Sequence, residues 1–225
     1  MSGNTIGLTN NGEGSLYSAD SLTEIVGNID VVYTVVVARN GSIVASDKGR
    51  VYENRDGNLT QVGNDIVVPG ANFNPALNGN GNLMGDPLMG DLRSPVLSKV
   101  GTRLVVSNRL FADPPAIPLF NTGRVRVYNW NEQRFSWDLE LNAIGMHKNE
   151  RLGSGTAINA DGTLLVIGAG LYTNANSTTQ SGIVYIYQRT SSSTWLQRAI
   201  LEIPEAGFVR DLAICRHAAL ESRRL

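Results

Sequence analysis

Short apolar segments separated by polar turns run along most of the chain. Three of them, Ser42–Ser46, Thr102–Ser107 and Thr163–Ile167, are rich in leucine or β-branched residues. Two of these segments directly follow Asn40-Gly41 and Asp161-Gly162. Asx-Gly dipeptides favour tight hairpins because both residues tolerate a positive φ. The pattern therefore predicts short strands joined by hairpins.

A longer repeat is superimposed on this pattern. Gly123–Tyr128 precedes Trp137, and the similar segment Gly182–Tyr187 precedes Trp195, so the unit recurs after 59 residues (position 123 to position 182). In the clearer copy, two further segments, Gly153–Ile158 and Leu164–Ala169, come before the Gly-Ile-Val-Tyr strand. A repeated unit of four strands is typical of a propeller blade.

The predicted fold is all-β, a β-propeller-like array of four-stranded antiparallel blades with about three full blades and partial blades at the ends. One domain is predicted over residues 1–214, followed by an irregular or helical tail over 215–225. The predicted boundaries within the domain are full blades over 31–66, 90–144 and 150–203, and partial blades over 1–30 and 204–214.

The connections between the predicted strands differ greatly in length. The link between second and third strands is residues 47–48 in the first full unit, 108–122 in the second and 170–181 in the third. A further insertion covers residues 69–95. Long loops on a rigid frame commonly carry recognition, so we expect function at 69–95, 108–122 and 170–181.

Composition excludes several classes of function. The formal net charge is −1 over 225 residues, which predicts no nucleic-acid partner. The longest apolar run, Val31–Ala38, is too short to cross a bilayer, so no membrane insertion is expected. The sequence also shows no signal-peptide pattern, and we expect the protein in the cytoplasm or in a virus-like assembly.

Residues 150–203 resemble the FG-GAP repeat of integrin-α-type β-propellers. The resemblance is carried by Leu152-Gly153, Asp161–Ala169, Ser181–Tyr187 and Trp195–Gln197. It is fainter over 90–144 and weak elsewhere. It implies a propeller that serves recognition, adhesion or scaffolding.

The same family often carries a Ca²⁺ loop of the type Asp-x-Asp-x-Asp-Gly, whereas this chain has Asn159-Ala160-Asp161-Gly162 with one carboxylate. Ca²⁺ prefers six to eight oxygen ligands, several of them charged. A second Asn-rich series, Asn78, Asn80 and Asn82, offers side-chain oxygens at alternate positions. We expect no cofactor and no metal, and interpret Asn78, Asn80 and Asn82 as a flexible loop that contributes to ligand binding.

Aromatic residues allow two interpretations. Trp137, Trp195 and the tyrosines of the repeated strands recur regularly, which favours packing between blades over a sugar-stacking surface. Trp130 follows its strand without a counterpart in the other copy, and it is the predicted ligand-binding aromatic residue.

No catalytic motif is apparent, so the sequence predicts that the protein is not an enzyme. Cys215 and His217 lie two positions apart in the tail without a nearby orienting acid, and His147 is predicted to be a solvated turn residue. The alternative is a glycoside-cleaving propeller, which needs two convergent carboxylates. Its candidate acids are Asp47, Glu53, Asp113 and Asp161.

The function predicted from the sequence is a propeller scaffold for protein–protein or protein–glycan recognition, with a structural component of a virion as one setting. Because the repeats number about three, we expect the ends of the chain, a protein partner or a second copy to complete the propeller. Open sheet edges and apolar faces otherwise remain exposed.

Overall fold

The computed structural model describes residues 5–66, 92–111, 121–173 and 182–202, apart from gaps at 11–12, 19–20, 22, 31–34, 39–40, 47–48, 110, 112–120 and 192. Within these ranges the regular structure consists of β-strands. None of the described residues forms a helix with the length and apolar character needed to span a membrane.

The described strands form four antiparallel sheets in chain order. Sheet A has three strands, and sheets B, C and D have four each. In every sheet, strands that follow one another in sequence lie next to one another. The strands are β1 (Thr5–Asn10), β2 (Glu13–Ser18) and β3 (Glu24–Asp30) in sheet A; β4 (Val35–Ala38), β5 (Ile43–Ser46), β6 (Val51–Arg55) and β7 (Asn58–Gln61) in sheet B; β8 (Leu92–Leu97), β9 (Arg103–Asn108), β10 (Arg124–Asn131) and β11 (Ser136–Ile144) in sheet C; and β12 (Leu152–Ile158), β13 (Leu164–Ala169), β14 (Ile183–Arg189) and β15 (Trp195–Glu202) in sheet D.

The first strands of the sheets lie side by side, so that β1 contacts β4, β4 contacts β8, and β8 contacts β12. Successive sheets pack face to face and enclose one apolar cluster at each junction. This succession of one three-stranded and three four-stranded sheets around their first strands is the propeller-like architecture that the repeat predicted. The predicted all-β fold is confirmed.

The junction between sheets C and D holds the largest cluster. Val105, Val125 and Val127 of sheet C meet Leu165 and Ile167 of sheet D, and all five are fully buried. Fully burying each such side chain contributes about 1.5–3 kcal/mol. The repeated apolar strands therefore stabilise the array by filling the space between blades.

Two details of the strands differ from the sequence pattern. The segment Thr5–Asn10, which is not among the apolar segments of the pattern, forms β1, so the predicted partial blade at 1–30 contains three strands. Strand β8 begins at Leu92, inside the predicted insertion 69–95. It accommodates Pro95 because the pairing register shifts between Arg93 and Val96, and proline is tolerated at such irregularities.

The three full units predicted from the repeat contain sheets B, C and D. The predicted partial blade at 204–214, the tail at 215–225 and most of the insertion 69–95 lie outside the described residues.

Candidate functional site

The variable loops leave the sheet array at one end. In a sheet of consecutive antiparallel strands, the second and fourth strands finish on the same side, and the first and third finish on the other. The connections 108–122 and 170–181 follow second strands, and the connection after β7 follows a fourth strand. The strand ends from which the three predicted recognition loops depart therefore lie at one end of the array, which we call the loop end. Residues 67–91, 112–120 and 174–181 of these connections lie outside the described residues.

Backbone hydrogen bonds connect the segments at the loop end. The Leu152 amide donates to the Thr122 carbonyl at 2.8 Å, which joins loop 108–122 to the first residue of β12. The Leu171 amide donates to the Glu150 carbonyl at 3.4 Å, which joins loop 170–181 to the chain between sheets C and D. Residues 145–151, the link segment, thus lie between two variable loops.

The link segment presents four exposed residues and one buried acid. Met146 is 71% exposed, and His147, Lys148 and Asn149 are exposed as well. Glu150 is fully buried. A buried carboxylate is costly unless hydrogen bonds compensate it, so its partners determine the shape of this segment.

Glu150 accepts hydrogen bonds from both sides. Its Oε2 atom accepts from the Met146 amide at 2.8 Å and the His147 amide at 2.9 Å, and lies 3.2 Å from His147 Nδ1. Its Oε1 atom accepts from the Tyr185 hydroxyl at 2.5 Å. Tyr185 belongs to β14, so the carboxylate ties the link segment to the core of sheet D.

Two tyrosines around Glu150 stay protonated. Burial, followed by the hydrogen bond to Glu150, raises the pKa of Tyr185 far above its usual value. Burial also raises the pKa of Tyr172, whose ring meets the His147 ring edge-on at 5.0 Å between centroids. A neutral tyrosine donates to a carboxylate that is out of contact with solvent. The hydrogen bonds of Glu150 to Tyr185, Met146 and His147 thus form a structural brace. The side chain of His147 is half exposed, as expected for a turn residue, and it also belongs to the brace.

Two arginines flank this brace. Burial, and next the charge of Arg151, lower the pKa of Arg109. The two guanidinium groups therefore lie close enough for their charges to repel each other. Together with Lys148 they make this part of the loop end basic, although the formal net charge of the chain is −1.

The tryptophans of the fourth strands connect neighbouring sheets. Trp137 is 5% exposed and donates from Nε1 to the Val62 carbonyl after sheet B at 3.1 Å. Trp195 is 7% exposed and donates from Nε1 to Glu140 of sheet C at 3.2 Å. Both act in packing between blades, as the sequence predicted, and neither forms a sugar-stacking surface.

Trp130, the predicted ligand-binding aromatic residue, is half-buried rather than fully exposed. Its ring centroid lies 5.4 Å from that of Trp137 and 6.4 Å from that of Phe135. A Cβ atom on Gly63 would lie 2.7 Å from the Trp130 ring, so the indole also packs against the chain that follows sheet B. Its role in ligand binding stays a prediction.

Most of the remaining candidates are not brought together by the described structure. Asn78, Asn80 and Asn82 lie outside the described residues, as do Cys215 and His217. Among the acids of the glycoside-cleaving alternative, Asp47 and Asp113 lie outside them too, while Glu53 and Asp161 belong to different sheets.

The turn that corresponds to the family's Ca²⁺ loop does not fit a cation. Asn159 Oδ1 accepts from the amides of Thr163 and Leu164, and Asp161 Oδ1 accepts from Thr163. The side-chain oxygens thus close the turn themselves, and one carboxylate is too little charge for Ca²⁺. Across the described residues no three His, Cys, Asp or Glu side chains are grouped for metal binding.

The sequence pattern missed Glu150 and Tyr185 as partners. Tyr185 occupies an apolar strand, and Glu150 lies in a polar link where a buried acid is rare. Gly145, five residues before Glu150, was a usable signal of close backbone packing in the link segment. A Cβ atom at this position would lie 2.1 Å from the Thr122 carbonyl oxygen and 3.2 Å from Glu150 Oε2.

Comparison with known proteins extends this description only at the level of the fold. No profile of a known protein family matches the sequence, and no curated protein matches it. A structure from Bacteroides fragilis, provisionally named a 6-phosphogluconolactonase, is 12% identical with a TM-score of 0.49, over 85% of this chain and 49% of that one. A structure of the same provisional name from Bacteroides uniformis is 13% identical with a TM-score of 0.47, over 89% of this chain and 55% of that one.

The β-propeller domain of Cps50 (Swd1) from Myceliophteria thermophila is also similar, at 12% identity and a TM-score of 0.37, over 90% of this chain and 71% of that domain. This chain spans about half the length of the two Bacteroides structures. At these identities the likeness concerns the fold, and it transfers no activity.

The prediction that the protein is not an enzyme is wrong. Two of the structures that resemble it are named, provisionally, for an enzymatic activity. A propeller-like fold without a familiar catalytic motif is therefore no ground for excluding catalysis. The physical reason is that an activity depends on a few side chains placed on a fold, and one fold hosts many activities.

Proposed function

We propose that this protein is a propeller scaffold whose loop end recognises another macromolecule, either a protein or a glycan. The observation that supports the proposal is that the strands preceding the connections 69–95, 108–122 and 170–181 all end on the same side of the array. A stack of sheets with buried junctions supplies a rigid frame, and loops of different length and composition supply a specific surface. The resemblance of residues 150–203 to FG-GAP repeats agrees with this role.

The brace around Glu150 gives the proposed surface a fixed centre. Because Glu150 is buried and bonded to the Met146 and His147 amides, it holds the exposed part of the link segment in one conformation. A surface that is ordered before binding loses less conformational entropy on binding. Basic side chains at 109, 148 and 151 favour an acidic partner surface or an anionic glycan.

The proposal is tested by replacing residues 174–180 with a Gly/Ser linker of equal length and measuring binding on glycan and protein arrays. The matched control alters the turn at 190–193, which lies at the opposite end of sheet D. We expect the loop variant to lose at least tenfold in affinity for each bound ligand, and the control to stay within twofold. Equal binding by both variants contradicts the proposal.

Catalysis is measured on the same preparations. Release of reducing sugar tests the glycoside-cleaving alternative, for which Glu53 and Asp161 offer no supporting geometry because they lie in different sheets. 6-Phosphogluconolactonase activity tests the activity that the two Bacteroides structures are named for. Turnover that survives the replacement of 174–180 contradicts a role for the loop end as the functional surface.

We further propose that a second copy of the chain completes the array. Leu8 is 53% exposed and points away from sheet B, since its neighbour Gly7 faces Val35 of that sheet. At the other end, Leu196 and Leu201 are 42% and 49% exposed on the side of sheet D turned away from sheet C. Two copies joined head to tail bury both apolar faces. Light scattering that shows a single monomeric species, unchanged by Leu201→Lys, contradicts this.

A further inference from the structure

The hairpin between β10 and β11 ends in an apolar surface. Phe135, at the tip of the hairpin, is 75% exposed, and Leu139 of β11 is 51% exposed. Trp130 of β10 is half-buried and meets the Phe135 ring edge-on, with 6.4 Å between centroids. We call Trp130, Phe135 and Leu139 the apolar tip.

The strand register places the apolar tip on one side of sheet C. Trp130 pairs with Trp137, and Tyr128 pairs with Leu139. Residues directly opposite each other in an antiparallel pair project from the same face. Tyr128 and Trp137 are buried against sheet B, so Leu139 and Trp130 lie on that side too. The apolar tip therefore continues the junction between sheets B and C beyond its covered part.

Sheet D offers an internal comparison, because corresponding residues pair in its last hairpin, whose turn is one residue shorter. Arg189 pairs with Trp195 as Trp130 pairs with Trp137, and Tyr187 pairs with Gln197 as Tyr128 pairs with Leu139. Ser193 has a φ of 64°, close to the 50° of Phe135, and occupies the same place before the tryptophan. The three apolar residues of sheet C are thus Arg189, Ser193 and Gln197 in sheet D. The blade forms with polar residues at all three positions, so folding does not require apolar ones.

Phe135 is also held in an unfavourable backbone conformation. At a φ of 50° its Cβ atom crowds the backbone, an arrangement that glycine or asparagine adopts more easily. With 75% of the side chain exposed, burial gains little in return. Backbone strain at an exposed aromatic residue points to a role outside folding.

The surroundings favour an apolar protein segment as the occupant over a sugar. Asn131 Nδ2 and Arg134 both donate to Asp138, and Asn64 Oδ1 accepts from the Trp137 amide. These polar groups bond to one another, whereas a sugar needs hydrogen-bond partners for its hydroxyl groups. The exposed apolar area, roughly 300 Å², is well below the ~800 Å² per partner of a standard interface. A second copy of this chain is therefore too large an occupant for this surface alone.

We propose that the apolar tip binds a short segment of a partner protein through an aromatic or aliphatic anchor residue. The anchor packs against Trp130 between Phe135 and Leu139, in the way that a few aromatic residues dominate many interfaces. This surface lies at the end of β10 and β11 opposite the connection 108–122, beside Gly63 of the chain that follows sheet B. It does not depend on the function proposed for the loop end.

The test uses a displayed library of 12-residue peptides, selected on the full chain, with affinities of the enriched synthetic peptides measured by fluorescence anisotropy. The variant Phe135→Ser/Leu139→Gln places the residues of sheet D in sheet C. The matched control Val100→Thr alters a residue that is 42% exposed in the turn between β8 and β9, outside both proposed surfaces. We expect enrichment of Trp, Phe or Leu anchors, a loss of at least tenfold in the double variant and a change of less than twofold in the control.

Three results overturn the proposal. In the first, the peptides bind the double variant as tightly as the unmodified chain. In the second, the library yields no enriched peptide. In the third, the unmodified chain and the control bind a glycan and the double variant does not. Phe135→Ser alone, at a position that is 75% exposed, provides a second variant with an intact core. Replacement of 174–180 leaves the peptide affinities unchanged, which distinguishes this surface from the loop end.

Discussion

The buried carboxylate of Glu150 predicts a large loss of stability when it is removed. In Glu150→Ala, the buried Tyr185 hydroxyl loses its acceptor at 2.5 Å, and the amides of Met146 and His147 lose theirs at 2.8 and 2.9 Å. A hydrogen bond to a charged group contributes about 1.5–3 kcal/mol, and release of the buried charge offsets part of the sum. We expect the free energy of unfolding to fall by about 3 kcal/mol.

The assay is chemical denaturation with a double-mutant cycle. Tyr185→Phe leaves the Glu150 carboxylate buried without its tyrosine donor, and should cost about 1.5–3 kcal/mol. Because the two residues share one hydrogen bond, the double variant should be more stable than additivity predicts, by at least about 1 kcal/mol. In a chain of this length a loss of 3 kcal/mol lowers the melting temperature by roughly 10 °C.

Tyr172→Phe is the matched control. Tyr172 is also buried beside His147, but no hydrogen bond of its hydroxyl is found among the described residues. Its removal should change the free energy of unfolding by less than about 0.5 kcal/mol. The reasoning is refuted if Glu150→Ala costs less than 1 kcal/mol, or if the effects of Glu150→Ala and Tyr185→Phe simply add, because either result means that the brace does not hold the link segment.

Three further predictions concern the junction of sheets C and D. Gly123→Ala should destabilise the fold by more than about 2 kcal/mol, because its φ is 84° and the new Cβ atom would lie 2.2 Å from the Leu152 carbonyl oxygen. Thermal melts measure this loss. The control is Gly168→Ala, whose new Cβ atom would have its nearest neighbour 3.7 Å away. Glu140→Ala should lower the free energy of unfolding by about 3 kcal/mol in denaturant titrations, because Arg189 loses its two hydrogen bonds to Glu140 at 2.7 and 3.0 Å. Glu132→Ala, at an exposed position, is the control, and an equally small loss in both variants argues against a stabilising Glu140–Arg189 pair. Hydrogen bonds from Thr163 lower the pKa of Asp161 below its ordinary 3.8, so its stabilisation is present above about pH 4 and is lost as the pH falls through the lowered value. Melting temperatures should therefore fall less between pH 5 and pH 3 in Asp161→Asn than in the unmodified chain, and parallel curves speak against the linkage.

The strands were predictable wherever the residue pattern alone determines the backbone. Short β-branched segments after Asn40-Gly41 and Asp161-Gly162 form β5 and β13, because a positive φ at the turn and an apolar strand are both local properties. The Trp residues in the fourth strands of sheets C and D could be assigned to packing for a related reason. A side chain that recurs at the same place in two copies serves what both copies need, which is burial against a neighbouring blade.

Side chains whose environment depends on a distant segment were not predictable. Trp130 is unique in the repeat, and its burial depends in part on Gly63, which comes from the chain after sheet B. Arg126 alternates with Val125 and Val127, a pattern typical of a solvent-facing position, yet it is 7% exposed and its Nε donates to Asn142 Oδ1. In both cases the partner comes from another strand or sheet, so no local pattern contains it.

The sequence by itself determined the strand content, the four-strand repeat and the variable lengths of the loops, because these follow from side-chain alternation and turn chemistry within short stretches of chain. The tertiary structure alone decided that Glu150 is buried and which residues donate hydrogen bonds to it. The Tyr185 donor lies 35 residues after Glu150 in the chain. Burial of a charge depends on such remote partners, since only a complete set of hydrogen bonds makes it tolerable.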